Sequence, residues 1–288
     1  MALLYVLLVL IWSTGFITGK FLVGLIDPNI YLTIRFLGVG GLFTLIAVFQ
    51  RRRFPSWNEL PKHIIAGMLM NGFYLAFAYV AIAKGLPAGI MALIGALQPA
   101  LVTLLAFLLI KEKTSIKGII GMLIGMVGLV LVLSPVFELD LSHGGVSFLT
   151  LLFACLGILS LSLGVTYQKM SISSSDLFSS MAIQNLAAAA VTFCFALLLG
   201  EHVFKVQLET FALIAWGIIV LSCGGVFLMV WLLRKVKASQ VTTVMLLVPP
   251  LAAVESYFLF NEHMTWVQIT GFVVTIAGVY LSRAKPAS

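Results

Sequence analysis

The chain has 288 residues, of which 61% are hydrophobic and only 9% charged, with a formal net charge of +7. A water-soluble domain carries about 25% charged residues, so this composition excludes a soluble enzyme or binding domain and points to a chain that lives in lipid. Cys155, Cys194 and Cys223 stand singly in apolar segments without zinc or redox spacing, and are expected as small buried hydrophobes.

A spanning helix needs about 20 mainly apolar residues, and ten such spans are predicted. The first, 2–19, has no basic leader before it and is expected to be a retained helix, not a cleaved signal peptide. Trp12 lies near its centre, deeper than an interfacial aromatic. The second, 29–49, carries Arg35 about 9 Å below its entry point at 1.5 Å per residue, followed by Gly38, Gly40 and Gly41. The third, 62–82, holds Asn71, Tyr74 and Tyr79. In the fourth, 87–110, Gln98 precedes Pro99, whose missing backbone donor makes a weak point. The fifth, 116–134, spaces Gly118, Gly121, Gly125 and Gly128 as helices do when they approach closely. After the sixth, 146–168, the seventh, 177–199, places Gln184 and Asn185 at mid-depth. The eighth covers 210–232. The ninth, 239–260, contains a second proline pair, Pro249 and Pro250, then Glu255 about 8 Å from its exit. The tenth runs over 265–282.

Ten spans put both termini on one side. Arg51, Arg52, Arg53, Lys62, Lys111, Lys113, Lys117, Lys169, Arg234, Lys235, Lys237, Arg283 and Lys285 fall on that side, against Lys20, Lys84 and Lys205 opposite. The bias predicts cytoplasmic termini. The basic excess is thus a topology signal and not a nucleic-acid footprint.

The chain also repeats itself at an offset of 150. Pro99 aligns with Pro249, Glu112 with Glu262, Gly121 with Gly271, Gly128 with Gly278 and Gly67 with Gly217. The expected architecture is all-α, two five-helix repeats over 1–134 and 146–288 that form one transport domain. An odd number of spans inverts the second copy, and inverted repeats place a binding site near the midplane between them.

The chain resembles the drug/metabolite transporter superfamily, in particular its ten-helix EamA-type members. "IWSTGFITGK" in the first span, Arg35-Phe36 in the second, "LQPALVTLLAFLLIKE" in the fourth and "VPPLAAVESYFLFNE" in the ninth carry the likeness. The family's usual Gly-Glu closing the fourth and ninth spans is replaced here by Lys111-Glu112 and Asn261-Glu262. The resemblance implies a carrier for a small metabolite, often an exporter, that works by alternating access around a central cavity. It also implies a bacterial source, and so an inner-membrane location.

Charges at membrane depth are expensive and face a cavity or a partner. Arg35 and Glu255, at matching depth, are read as a locking ion pair or as substrate- and proton-handling groups. Their offset counterparts are Asn185 and Leu105, so neither charge recurs in the other half, as an asymmetric task requires. Asn71, Gln98, Gln184 and Asn185 are interhelical glue or cavity groups; Trp12, Tyr74 and Tyr79 suit an aromatic wall. Tyr257 fits an interfacial belt, and Glu112 and Glu262 fit helix-end anchors. There is no catalytic, P-loop or nucleotide motif, so no catalytic residue, metal or cofactor is expected. The partners expected are a small-molecule substrate (an amino acid, nucleobase-like compound or drug) and the lipid bilayer, for a monomer or homodimer. The rival from another class is an integral-membrane enzyme acting on lipid or a lipid-linked substrate.

Overall fold

The computed structural model describes residues 2–22, 24–84, 86, 91, 94, 95, 97–134, 147–172, 174–260 and 265–282. Among these the chain is helical, with one isolated bridge between Ile26 and Phe204. Helices α1 (Ala2–Leu22) and α2 (Pro28–Phe49) are followed by α3, which starts as Leu60–Gly67. It then passes through a π-helical stretch, Met68–Phe73, and resumes as Tyr74–Ala83. Next come α4 (Gln98–Ile110), α5 (Ile116–Val132), α6 (Phe148–Ser171) and α7 (Leu177–Leu199). Helix α8 repeats the device of α3, with Leu208–Trp216, a π-helical Gly217–Val226 and Phe227–Leu233. Helix α9 joins Ala238–Val244 to Val248–Phe260 through a 3-10 turn, Met245–Leu247, and α10 is Trp266–Ser282.

All ten predicted spans are met by a helix, with ends displaced by a turn or less where both ends are described. The start of the fourth, the 135–146 connection, Asn261, Glu262, Arg283 and Lys285 lie outside the described residues. Helices α1, α2, α3, α6, α7 and α8 are long and apolar enough to cross a membrane unaided, while the apolar runs in α4, α5, α9 and α10 are shorter. The chain is a multi-pass integral membrane protein with an all-α, ten-helix fold.

Helix ends are tied down locally and across the molecule. Asp27 and Pro28 open α2 in the order helix starts favour. The carboxylate of Asp27 accepts from the His202 and Val203 N–H groups, both at 2.8 Å. Glu201 accepts in turn from the Asn29 and Ile30 N–H groups at 2.8 and 3.1 Å, supplying the acceptors that a helix N-terminus lacks. Asp176 caps α7 directly, accepting from the Phe178 and Ser179 N–H groups at 3.0 Å. Before α3, Glu59 accepts from the Ser56 N–H and hydroxyl, and these bonds hold its carboxyl below the ordinary range. Helix α7 stops at Gly200, whose φ of 67° is the left-handed conformation glycine adopts freely.

Packing pairs α2 with α7 and α5 with α10; α1 lies on α8 and α9, and α6 lies on α3 and α4. The α5–α10 seam is a glycine contact without room for side chains. A Cβ on Gly128 would lie 2.5 Å from the Thr275 nitrogen and 2.7 Å from the Gly271 carbonyl oxygen. One on Gly121 would lie 2.6 Å from the Gly278 carbonyl oxygen. Gly38 and Gly40 meet Ile218 and Leu186 side chains, but Gly41 faces open space. Outward-facing Leu3, Leu198 and Val273 show the apolar surface that lipid requires. Cys155 and Cys194 correct an expectation: both are exposed on that surface and only Cys223 is partly buried. A thiol is apolar enough for either place.

Candidate functional site

A cavity of about 480 Å³ lies among the helices, within the size range of small-molecule sites. Its lining on α1 runs from Trp12 to Gly19 and on α3 from Met70 to Ile82. It therefore occupies the half of the bundle nearest the α1–α2 and α3–α4 connections. Leu129, Leu161, Met245 and Leu246 bound it on the other side.

Eight of the sequence candidates line this cavity: Trp12, Arg35, Asn71, Tyr74, Tyr79, Gln98, Pro99 and Pro249. Local backbone breaks bring several of them in. Asn71 stands in the π-helical stretch of α3, a helix defect that re-aims side chains and is frequent at functional sites. Pro99 falls in the first turn of the described α4, where its missing N–H costs little. Pro249 follows the 3-10 turn of α9, so both prolines mark a junction within their helices.

Arg35 is buried, and its Nε donates to Ser222 Oγ of α8 at 2.7 Å. Tyr31, one turn before it, also lines the cavity; a Cβ on Gly217 would crowd the Tyr31 ring and Arg35 Cδ. Among the described residues, the indole Nε1 of Trp12, Asn71 Nδ2 and Gln98 Nε2 are buried without hydrogen-bond partners. Such groups carry a desolvation cost of about 1–3 kcal/mol each until something bonds them.

Gln184, Asn185, Pro250 and Glu255 lie outside the cavity lining. Gln184 donates to Ser180 Oγ at 2.8 Å and Asn185 to the Met181 carbonyl at 2.8 Å. They fill the seam of α7 against α3, where Gly67 rests on the Gln184 backbone. Glu255 accepts from Ser13 Oγ of α1 at 2.6 Å, beside cavity-lining Trp12. No ion pair joins Arg35 to Glu255 among the described residues; each charge takes a serine from a different helix.

At the opposite end of the bundle, α4 and α6 are joined by a pair of charges. Lys169 Nζ lies 3.0 Å from Glu112 Oε2 and donates to the Val236 carbonyl at 2.6 Å. Glu112 thus serves both helices: its side chain is an interhelical partner, and its N–H closes its own helix on the Ala106 carbonyl at 3.0 Å. Lys237 reaches the Lys113 carbonyl, and Thr114 donates to Ser239 at 3.3 Å. Sequence reasoning missed Tyr31, Ser13, Ser222 and Lys169. Only Tyr31 gave a signal, its four-residue spacing from Arg35.

A family model described as the EamA-like transporter family matches residues 1–134 and 148–284. The transporter YvbV of Bacillus subtilis, named as uncharacterized, is 24% identical over 99% of this chain and 92% of its own. A probable amino-acid metabolite efflux pump of Escherichia coli is 22% identical over 97% of this chain and 93% of its own. A solved crystal structure shares the fold with a TM-score of 0.81 at 18% identity, over 98% of this chain and 96% of that one. With nearly its whole length matched by the family model, the chain belongs to the EamA-like transporter family.

Proposed function

We propose that this secondary transporter exports a small organic metabolite by alternating access, with its halves, residues 1–134 and 146–288, acting as inverted repeats. It resides in the cytoplasmic (inner) membrane with both termini inside. The cavity carries the reading: helices of both halves line it, and a polar latch built from both halves lies at the other end of the bundle. Crossed glycine contacts support the inversion, because Gly121 meets Gly278 and Gly128 meets Gly271. The paired π-helical stretches of α3 and α8 fall at the same offset. Export and an amino-acid-like substrate are favoured by what two relatives are named for.

The test is flux from proteoliposomes that contain only this protein, loaded with a panel of labelled amino acids, their derivatives and nucleobases. Release of a panel member above empty liposomes, accelerated by the same solute outside, supports a carrier. Release through an always-open path, insensitive to solute on the far side, contradicts it.

Glu255 is read as a proton- or cation-handling group at the α1–α9 seam, beside the cavity wall. Glu255→Gln keeps the shape and a hydrogen bond to Ser13 but removes the charge. Normal abundance is expected, with flux lost or made insensitive to pH. Unchanged flux with its pH dependence intact would leave the carboxylate a packing role only.

A further inference from the structure

We propose that the cavity selects an organic anion, a carboxylate joined to an apolar or aromatic body, with Arg35 as the charge that recognises it. This rests on the transport reading and names the substrate class of the same site. Arg35 is a buried guanidinium in the wall of the cavity, and it commits Nε to Ser222. None of the described lining residues is acidic, and no described carboxylate forms an ion pair with Arg35. Glu255, the one acid described within α9, lies outside the lining; its Oε1 accepts from Ser13, and its Oε2 is buried without a partner among the described residues. A cation at membrane depth needs something to answer its charge. Among the described residues Arg35 has the Ser222 hydroxyl and the Phe36 ring, 5.7 Å from its guanidinium carbon. Both are neutral, and the countercharge is left to the solute.

The neighbouring polar groups point the same way. Trp12 Nε1 is a donor with no acceptor capacity, and among the described residues it is buried and unpartnered, as are the Asn71 and Gln98 amide nitrogens. Unmet donors in the same cavity as a guanidinium suit a carboxylate, which is acceptor-only. Apart from Thr18 and Thr242, whose hydroxyls bond back to carbonyls of their own helices, the rest of the lining is apolar or aromatic, including Tyr74, Met70, Met91 and Ile158, and suits the body of the molecule. A free amino acid would bring an ammonium group for which no lining carboxylate is described. An inside-negative potential of 100 mV by itself drives a monovalent anion outward to a concentration ratio of roughly fifty-fold. Export of this class therefore needs no coupling ion.

The experiment uses three probes that share one ring system and differ in charge: N-acetyltryptophan (anion), tryptophan (zwitterion) and tryptophan amide (cation). Equilibrium binding to the purified protein is measured first, then efflux from proteoliposomes with and without an imposed potassium diffusion potential. The anion is expected to bind at least ten-fold more tightly than either of the others, and an inside-negative potential should speed its exit. Arg35→Gln should remove that preference and Arg35→Lys should keep part of it. Because Arg35→Gln also breaks the Ser222 contact, Ser222→Ala serves as the second variant: it keeps the charge and should keep the preference.

Equal or weaker binding of the anion, or no binding of any probe, overturns the inference, as does an anion preference that survives in folded Arg35→Gln. Arg35-dependent anion binding without flux would leave the inference standing and remove the transport reading. Flux of panel solutes without anion preference would do the reverse.

Discussion

Replacing Gly128 with leucine is expected to break the α5–α10 seam and lower the thermal midpoint of the purified protein by about 6–12 °C. The seam brings backbone against backbone: a Cβ at Gly128 would lie 2.5 Å from both the nitrogen and the Oγ1 of Thr275. Ordinary carbon contacts need about 3.5 Å or more, so the helices must part by roughly an ångström along a contact made of rigid atoms. Overpacking of this kind costs about 3 kcal/mol, and each kcal/mol moves the midpoint of a chain this large by about 2–4 °C. Gly278→Leu should act alike, since its Cβ would lie 2.6 Å from the Gly121 carbonyl oxygen. Gly41→Leu is the control, because nothing lies within 4 Å of its added carbon. Thermal unfolding followed by size-exclusion chromatography reads all three. A midpoint for Gly128→Leu equal to that of Gly41→Leu would show that the seam yields easily.

Cutting the latch is the second large effect expected. Lys169, Glu112 and the Val236 carbonyl join α4, α6 and the α8–α9 connection at the end of the bundle away from the cavity. The two side chains are 21% and 10% exposed, so the pair ranks between a surface bridge and a buried one, worth about 1–3 kcal/mol. If the latch exists only while that end is shut, Lys169→Met should shift the balance toward opening there by about five- to 150-fold. Glu112→Gln should shift it in the same direction. A cysteine at cavity-lining Ala78, in a chain without Cys155, Cys194 and Cys223, reports the change as faster labelling by a membrane-impermeant thiol reagent from the face at the latch end, the cytoplasmic one in the proposed orientation. An unchanged labelling rate would make the pair a static brace.

The helices were legible in the sequence because lipid imposes a length and an apolar composition on each span. The π-helical stretches at Met68–Phe73 and Gly217–Val226 were not, because they are settled by packing among helices and not by a local residue such as proline. Gly67 and Gly217 marked the places, since each leaves room for the α7 or α2 surface, but a glycine alone does not say that hydrogen bonding shifts register. Of the candidate groups, those most readable from composition and depth were Trp12, Arg35, Asn71 and Gln98, and all four border the cavity. Gln184 and Asn185 looked equivalent in sequence and fill a helix seam instead, because the amide type does not reveal which way a helix is rotated. The matching depth of Arg35 and Glu255 suggested a pair. Rotation again decided otherwise, with Ser222 and Ser13 placed nearer, and nothing about an isolated serine in an apolar run announces such a role.

The measurement that bears most directly on alternating access is the labelling of the Ala78→Cys protein from each face separately, with the latch intact. A charged thiol reagent is added to the outside of one preparation and, in a second of opposite orientation, to the cytoplasmic face, while ion leak is recorded. The account predicts labelling from both faces at unequal rates, slower from the face where the latch holds, in a membrane that stays ion-tight. Labelling from one face only, whatever solute is present, would contradict it, and so would labelling from both accompanied by a steady ion leak.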